Sequence, residues 1–153
     1  MNEATTTPRE IPVLDTRGTS EVDLARIAAI IDCEGNIQLR ICQAQITVGN
    51  KQVRLLEWCH TRFGGSVCRN DRVTRSLRHA HLFRWVLTSA RNVGPLLKKC
   101  RPYFIFKGEE ADIAIEFAET FAVKYHHLPD DVRKKREDCM QRLRALTRKG
   151  PNP

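Results

Sequence analysis

Two acidic residues, Asp32 and Glu34, close an apolar helical segment and are followed at once by Gly35. At the C-terminal end of a helix, where Glu34 would lie, the helix dipole is unfavourable for an anion. A divalent cation would reverse this penalty, because carboxylate and terminal carbonyl groups both present oxygen to it. A bound cation and a solvated acid at a helix end are the two interpretations that these residues leave open.

Polar side chains alternate with apolar ones in the segment that follows Gly35. The polar positions are Gln38, Arg40, Gln43, Gln45 and Thr47. Since successive residues of a strand point to opposite faces, this pattern predicts two paired strands with one polar face. Gln and Arg can make bidentate contacts with adenine and guanine in the major groove, which a two-stranded ribbon fits. An ordinary solvated sheet face is the alternative.

The charge balance favours a polyanionic partner, with nucleic acid preferred to an anionic membrane surface or to a protein that is merely soluble and basic. The chain has 26 Lys and Arg against 18 Asp and Glu, a formal net charge of +8. Between Ser66 and Phe106 the single acidic residue is Asp71, whereas basic residues recur throughout. With nothing nearby in sequence to neutralise them, phosphate binding explains these charges better than surface salt bridges. The residues expected to contact DNA are Gln38, Arg40, Gln43, Gln45, Arg69, Arg72, Arg75 and Arg78.

Hydrophobic periodicity predicts the elements that position these residues. The predicted helices are 23–34, 53–63, 93–100, 107–125 and 130–149, and the predicted strands are 37–41, 43–48, 66–70 and 79–88. Gly35 is expected in the left-handed conformation past a helix end, and Asn50 as a helix cap. Two hairpins, each introduced by a helix, imply an α+β fold with one antiparallel sheet and helices on one face. We expect a flexible arm at 1–20, a core at 21–125 and a basic C-terminal helix and tail at 126–153.

The segment Ile27-Ala28-Ala29-Ile30-Ile31-Asp32-Cys33-Glu34-Gly35 resembles the LAGLIDADG motif of homing endonucleases over its nine positions. The later segments Leu55-Leu56-Glu57-Trp58, Phe63-Gly64-Gly65 and Pro102-Tyr103-Phe104-Ile105-Phe106-Lys107 are similar to those of the family and follow in the same order. The resemblance spans about 23–121. It implies an αββαββα fold with a saddle-shaped antiparallel sheet, followed here by a C-terminal helix.

The resemblance also implies an activity. Such a protein is a site-specific DNA endonuclease of intron or intein origin, which makes a metal-dependent double-strand break with 3' overhangs at a long, near-palindromic target. Glu34 matches the family's metal-binding acid, with Glu in place of the more usual Asp, and the expected cofactor is Mg²⁺, with Mn²⁺ as a substitute. Lys107 matches the basic residue near the scissile phosphate. No residue is assigned to organising the attacking water.

The motif occurs once in the chain, so each copy would supply half an active site and a symmetric homodimer is implied. Small residues at helical spacing would let two such helices approach closely. The predicted dimer interface is Ala25, Ala28, Ala29 and Asp32. In the family the third motif position is usually glycine, whereas here it is Ala29. Asp32 is expected to have a structural part at the helix end.

Two other functions remain open at this stage. The first is a catalytically inactive scaffold that acts as a DNA-binding regulator or as an intron RNA splicing factor (maturase); retention of Glu34 and Lys107 argues against lost activity. The second is an unrelated RNA-binding module, which would stack bases on aromatic residues of its strands. Phe83 and Trp85 are the candidates for such stacking. The C-terminal helix is expected to be mainly a solvated basic helix with some phosphate contact.

The cysteine pattern and the first residues indicate the compartment. The six cysteines contain no C-x-x-C pair and no zinc-finger spacing to histidine. The N-terminal residues are polar and Thr-rich, and no segment has the roughly 20 apolar residues of a membrane span. We expect a soluble intracellular protein with reduced thiols, in the cytoplasm, nucleoid or an organelle matrix, and no membrane partner.

Overall fold

The structure is a computed structural model that describes residues 19–69 and 82–148. A short 3₁₀ helix, Arg101–Tyr103, precedes the fourth α-helix. In chain order the main elements are α1 (Glu21–Glu34), β1 (Gly35–Arg40), β2 (Gln43–Asn50), α2 (Val53–Phe63), β3 (Ser66–Arg69), β4 (Phe83–Thr88), α3 (Ala90–Cys100), α4 (Gly108–Glu119) and α5 (Asp130–Arg148). The predicted α+β order, with two hairpins each introduced by a helix, is confirmed.

The four strands form one antiparallel sheet in the order β1-β2-β4-β3. A two-residue turn, Ile41–Cys42, joins β1 to β2, as their closeness in sequence predicted. Buried residues alternate with more exposed ones in β1, β2 and β4, as in Ile37 and Leu39 of β1. The helices pack on the face that these buried residues form, which leaves the other face of the sheet open.

The turn after α2 is built from two glycines that both have positive φ, 74° at Gly64 and 78° at Gly65. A Cβ atom on Gly65 would collide with the carbonyl oxygen of Val86 in β4. The turn also presents the Gly64 carbonyl to the indole of the fully buried Trp85, whose Nε1 donates to it at 2.7 Å. This turn therefore fixes α2 against the centre of the sheet.

Two predicted helix-end roles are wrong in detail. Gly35 has an extended backbone, with φ −92° and ψ 158°, rather than a left-handed one. Glycine is needed there because a Cβ would lie 2.6 Å from the Cα of Ile31. Asn50 is the last residue of β2, and its side chain accepts from the backbone N–H of Gln52 at 2.8 Å instead of capping α2.

The helix predicted at 107–125 ends earlier, at Glu119. The Thr120 hydroxyl donates to the Phe117 carbonyl at 2.7 Å, and the chain then turns towards α5. α5 is not an isolated helix, because its residues Cys139 and Leu143 are buried in the same core as the sheet.

The side chain of Arg136 anchors α5 and is almost completely buried, with 5% of its surface exposed. Its guanidinium donates to the Ile41 carbonyl at 3.0 Å, and to the hydroxyl and carbonyl oxygens of Thr120 at 2.9 and 3.2 Å. The same group lies 3.6 Å over the ring of Phe121. Burial lowers the pKa of Arg136 from its ordinary value, while these contacts satisfy its donors. α5 is thereby tied to the tip of the β1–β2 hairpin.

All six cysteines are free, and Cys59, Cys100 and Cys139 are buried. Burial raises the pKa of Cys59 and of Cys100 to about 12, so these thiols stay protonated and unreactive in the folded protein. None of the described helices combines the length and the apolar composition that crossing a bilayer requires.

Replacing the buried guanidinium should destabilise the protein. In Arg136→Met the carbonyls of Ile41 and Thr120 lose their donor, and we expect the free energy of unfolding to fall by about 2–4 kcal/mol. The measurement is urea unfolding followed by Trp fluorescence. The matched control, Arg133→Met on the exposed side of the same helix, should change stability by less than about 0.5 kcal/mol. Equal effects of the two substitutions would contradict the anchoring role.

Candidate active site and DNA-binding face

The buried carboxylate of Asp32 joins two distant parts of the chain. Asp32 is 3% exposed, and its oxygens accept from the backbone N–H groups of Ile105 at 2.8 Å and Lys107 at 3.0 Å. A third, longer contact of 3.5 Å comes from Phe106. Hydrogen bonds to an ionised acceptor are stronger than neutral ones. The segment before α4 is therefore held against the last turn of α1, which agrees with the structural part predicted for Asp32.

This attachment brings the two predicted catalytic residues to the same end of α1. Glu34 is the last residue of that helix and is exposed. Lys107 is the residue that precedes α4, and its Nζ lies 5.7 Å from the centre of the Phe106 ring. Since the Lys107 backbone N–H donates to Asp32, two positions before Glu34, an acidic and a basic residue from far apart in sequence both lie near the C-terminal end of α1.

The start of α4 is further fixed by an ion pair. Arg101 of the 3₁₀ helix donates to both carboxylate oxygens of Asp112, at 2.7 and 3.0 Å. A Cβ on Gly108 would come within 2.8 Å of the Arg101 guanidinium carbon, so glycine makes room for this pair. Lys98 similarly lies 3.5 Å from Glu119. The basic residues between Ser66 and Phe106 were expected to lack acidic neighbours. This is wrong for Lys98 and Arg101, which pair with Glu119 and Asp112 of α4.

The oxygen donors at the end of α1 are of the kind that a divalent cation such as Mg²⁺ binds, but they are too few to complete its coordination. No group of three or more His, Cys, Asp or Glu residues able to hold a metal occurs within 19–69 and 82–148. The carboxylate of Asp32 is occupied by backbone donors, which leaves Glu34 and the carbonyls of the helix end. Mg²⁺ is usually bound through one or two carboxylates together with water and substrate phosphates. The residues of one copy thus fit half of such a site.

The polar face of the sheet contains the predicted hairpin residues. Gln38 lies opposite Gln45, and Arg40 lies opposite Gln43, so the four form two adjacent cross-strand pairs. Gln45 Nε2 donates to the Thr47 hydroxyl at 2.9 Å, which orients one member of this set. All are exposed or partly exposed.

Arg84 is a member of this face that was not among the predicted contacts. It lies opposite Gly49 of β2 and donates to Cys68 Sγ of β3 at 3.2 Å. Its neighbours Trp85 and Leu87 alternate with exposed residues, and that alternation within β4 was the signal that could have found it. Arg69 ends β3 and is exposed, but it lies opposite Phe83 on the side of the sheet that the helices cover, so its predicted place on the polar face is wrong. Arg72, Arg75 and Arg78 lie outside the described residues.

The aromatic residues of the second hairpin face the helices. Trp85 is fully buried, and Phe83, two positions earlier, packs against the same core. The outward positions of the four described strands consequently hold amides, hydroxyls, arginines and small residues, with no aromatic ring among them. Base stacking, the usual means of single-stranded RNA recognition on a sheet, has no platform on these strands.

The predicted interface stripe on α1 needs correction. Ala28 and Asp32 are 0% and 3% exposed, because they pack inside their own chain. Ala25 is partly exposed and Ala29 is exposed. The open side of the helix consists of Val22, Arg26, Ala29 and Cys33. Beside its C-terminal end, Asp32 holds Ile105 and Phe106, which are 86% and 62% exposed.

The contribution of Asp32 can be tested directly. In Asp32→Asn an amide NH₂ replaces one acceptor oxygen, and we expect the free energy of unfolding to fall by about 1–3 kcal/mol. Hydrogen exchange at the Ile105 and Lys107 amides should accelerate more than exchange in the sheet. Glu34→Gln, two positions away and exposed, is the control and should leave both properties unchanged. Unaltered protection of the two amides in Asp32→Asn would exclude the proposed attachment.

Several solved structures have a fold similar to that of this chain. No protein-family model matches the chain, and no curated protein matches it. The archaeal intron-encoded homing endonuclease I-Vdi141I, complexed with DNA, matches with a TM-score of 0.67 and 16% identity over 86% of this chain and 87% of that one. The homing endonuclease I-CvuI, in complex with the I-CreI target, matches with a TM-score of 0.56 and 13% identity over 80% and 94%. The meganuclease I-SmaMI, bound to uncleaveable DNA, gives 0.54 and 12%, over 85% of this chain and 45% of its own.

At identities of 12–16%, the property shared with these proteins is the arrangement of helices and strands. The observed order from α1 to α3 is αββαββα, as the sequence motifs predicted. The motif itself, Ile27 to Gly35, spans the end of α1 and the first residue of β1. The chain therefore adopts the fold of the LAGLIDADG homing endonucleases.

Proposed function

We propose that this protein is a site-specific DNA endonuclease that works as a homodimer, depends on Mg²⁺ and leaves 3' overhangs at a near-palindromic target. The main support is the attachment by Asp32, which brings the acid Glu34 and the base Lys107 to one end of α1. That end continues directly into β1 and its polar face. A scissile phosphate near Glu34 would thus belong to a duplex lying along this face.

The roles of the residues follow from their chemistry. Glu34 would hold Mg²⁺ together with the substrate phosphate. When bound, the ion supplies activation of a water molecule and stabilisation of the leaving oxygen. The Lys107 ammonium would lie close to the developing negative charge, where a fixed cation lowers the barrier. The Lys107 backbone N–H donates a hydrogen bond to the Asp32 carboxylate, which holds this part of the chain in place before DNA binds.

Double-stranded DNA is favoured over RNA by the open face of the sheet. Bidentate side chains stand there in cross-strand pairs, Gln38 with Gln45 and Arg40 with Gln43. I-CvuI, I-Vdi141I and I-SmaMI were each solved with DNA, and their shared fold supports the same partner here. I-CvuI was studied in the presence of Mg or Ca, which supports a divalent cofactor.

A second copy of the chain is favoured by the incomplete site and by an apolar surface beside it. One chain supplies Glu34 at the end of α1, and two such chains would provide one reaction centre for each strand of the duplex. Ala29 on the open side of α1, together with Ile105 and Phe106, offers small and apolar contacts for a symmetric partner. The chain spans 45% of I-SmaMI, the extent expected if one copy corresponds to half of that nuclease.

Cleavage of a randomised duplex library tests the activity. Purified protein with Mg²⁺ should enrich cuts at a near-palindromic site with 3' overhangs, and EDTA should abolish them. Glu34→Gln should lower the cleavage rate at least about 100-fold, because the developing charge loses its principal stabilisation. The control Glu57→Gln, on the exposed side of α2, should cut at the normal rate. Binding without cutting in Mg²⁺ or Mn²⁺ would instead support an inactive scaffold, whose partner would be sought in intron RNA.

The dimer is tested by charging its proposed apolar contact. Phe106→Asp would bury a carboxylate in the interface, a change whose cost is several kcal/mol per ion, and should convert the protein to a monomer in sedimentation experiments. Val123→Asp alters an apolar residue of similar exposure, 57%, elsewhere on the surface and should leave the mass unchanged. A Phe106→Asp protein that sediments as the unmodified one would place the interface elsewhere.

A further inference from the structure

We propose that α5 forms a second DNA-contacting wall beside β1, in which Arg144 and Thr147 bind backbone phosphates of the duplex whose bases face Gln38 and Arg40. The inference rests on the proposed function as a DNA-binding protein. It gives a specific site to the phosphate contact that was expected of a mainly solvated C-terminal helix.

A cleft lies between the exposed side of β1 and α5. Its polar lining combines Asn36, Gln38 and Arg40 from the strand with Arg144 and Thr147 from the helix. All five are exposed. The strand residues proposed to read bases and the helix residues proposed to bind phosphate therefore open onto one space, rather than onto opposite sides of the molecule.

The direction of α5 follows from its two ends. Arg136 bonds to the Ile41 carbonyl, at the turn that follows β1. The eleven residue-to-residue steps from Arg136 to Thr147 rise about 16 Å along a helix, which equals about five steps of an extended strand. Five positions back from Ile41 is Asn36, and Asn36 does line the cleft together with Thr147. This agreement in length indicates that α5 runs antiparallel to β1, which would bring Arg144 towards the end of the strand that begins next to Glu34.

The charges in the cleft are all of one sign. Its lining contains two arginines, Arg40 and Arg144, and no acid. Arg142, two positions before Arg144, forms ion pairs instead with Glu116 of α4 at 2.6 Å and with Asp138 of its own helix at 2.9 Å. Over 19–69 and 82–148, Arg144 has no acidic partner of this kind. An anion in this cleft would be attracted by both cations, and a DNA phosphate is such an anion.

Covering an exposed sheet edge is a simpler role for α5, since β1 is an outer strand of the sheet. That role accounts for the apolar residues Met140 and Leu143, which pack against the core. It gives no reason for an arginine at position 144, because polar uncharged residues would cover the edge equally well. The phosphate-binding role explains the arginine and the shared opening.

The test compares two charge-neutralising variants of the full chain. Arg144→Gln and Arg133→Gln each remove one positive charge from an exposed position of α5, at opposite ends of the helix. Binding to a mixed-sequence duplex is measured in EDTA over a range of KCl concentrations, so that cutting does not interfere. Arg144→Gln should weaken binding and reduce the slope of log K against log salt by about 0.9 for each copy of the chain in the complex. Arg133→Gln should leave the slope unchanged.

The outcomes separate this inference from the proposed function. Wild-type protein that binds the duplex, with Arg144→Gln showing the wild-type slope, would overturn the role of α5 while leaving the nuclease proposal in place. Wild-type protein that binds no DNA would overturn both. An equal loss of slope in Arg133→Gln would show a diffuse effect of helix charge and also overturn the assignment. Matching urea midpoints of the two variants establish that folding does not cause the difference.

Discussion

A single buried carboxylate sets the geometry on which the candidate site depends. Asp32 is nearly inaccessible to solvent and is satisfied by backbone N–H groups of the segment before α4. A buried anion without such donors would be costly, so the helix end and the distant segment are stable only together. The acid and the base of the proposed reaction are carried by the residues on either side of this contact. Chemistry is thus left to exposed residues, while a neighbouring buried one does the positioning.

The junction between α1 and β1 connects the candidate site directly to the sheet. No loop separates Glu34 from the strand, because Gly35 permits an approach to Ile31 that a Cβ would prevent. The candidate metal-binding acid and the polar face consequently belong to one continuous rigid segment. At the other end of β1, Arg136 holds the hairpin turn. Both ends of the strand with the exposed polar residues are therefore fixed by groups buried in the protein.

The local sequence pattern predicted the helices and strands. It could not predict which way some side chains face or which residues form ion pairs, because these depend on contacts between distant parts of the chain. The alternation from Asn36 to Val48 identified β1 and β2 because each strand buries one face against the helices. Helical spacing identified a stripe on α1 but not its direction, so Ala28 and Asp32 were assigned to an interface although they pack inside. The partners of Lys98 and Arg101 lie on α4, distant in sequence, where no local count of charges would find them. Arg84 was missed although its strand alternates clearly.

The alternation of buried and exposed residues across the sheet has a consequence for the history of such a protein. Outward residues such as Gln38 and Gln45 are exposed or partly exposed, whereas their neighbours Ile37 and Ile46 are almost fully buried. Mutations on the outward positions leave the folding free energy nearly untouched, so they accumulate without the loss of protein that core mutations cause. A lineage built on this sheet can drift in what it recognises while its architecture is conserved.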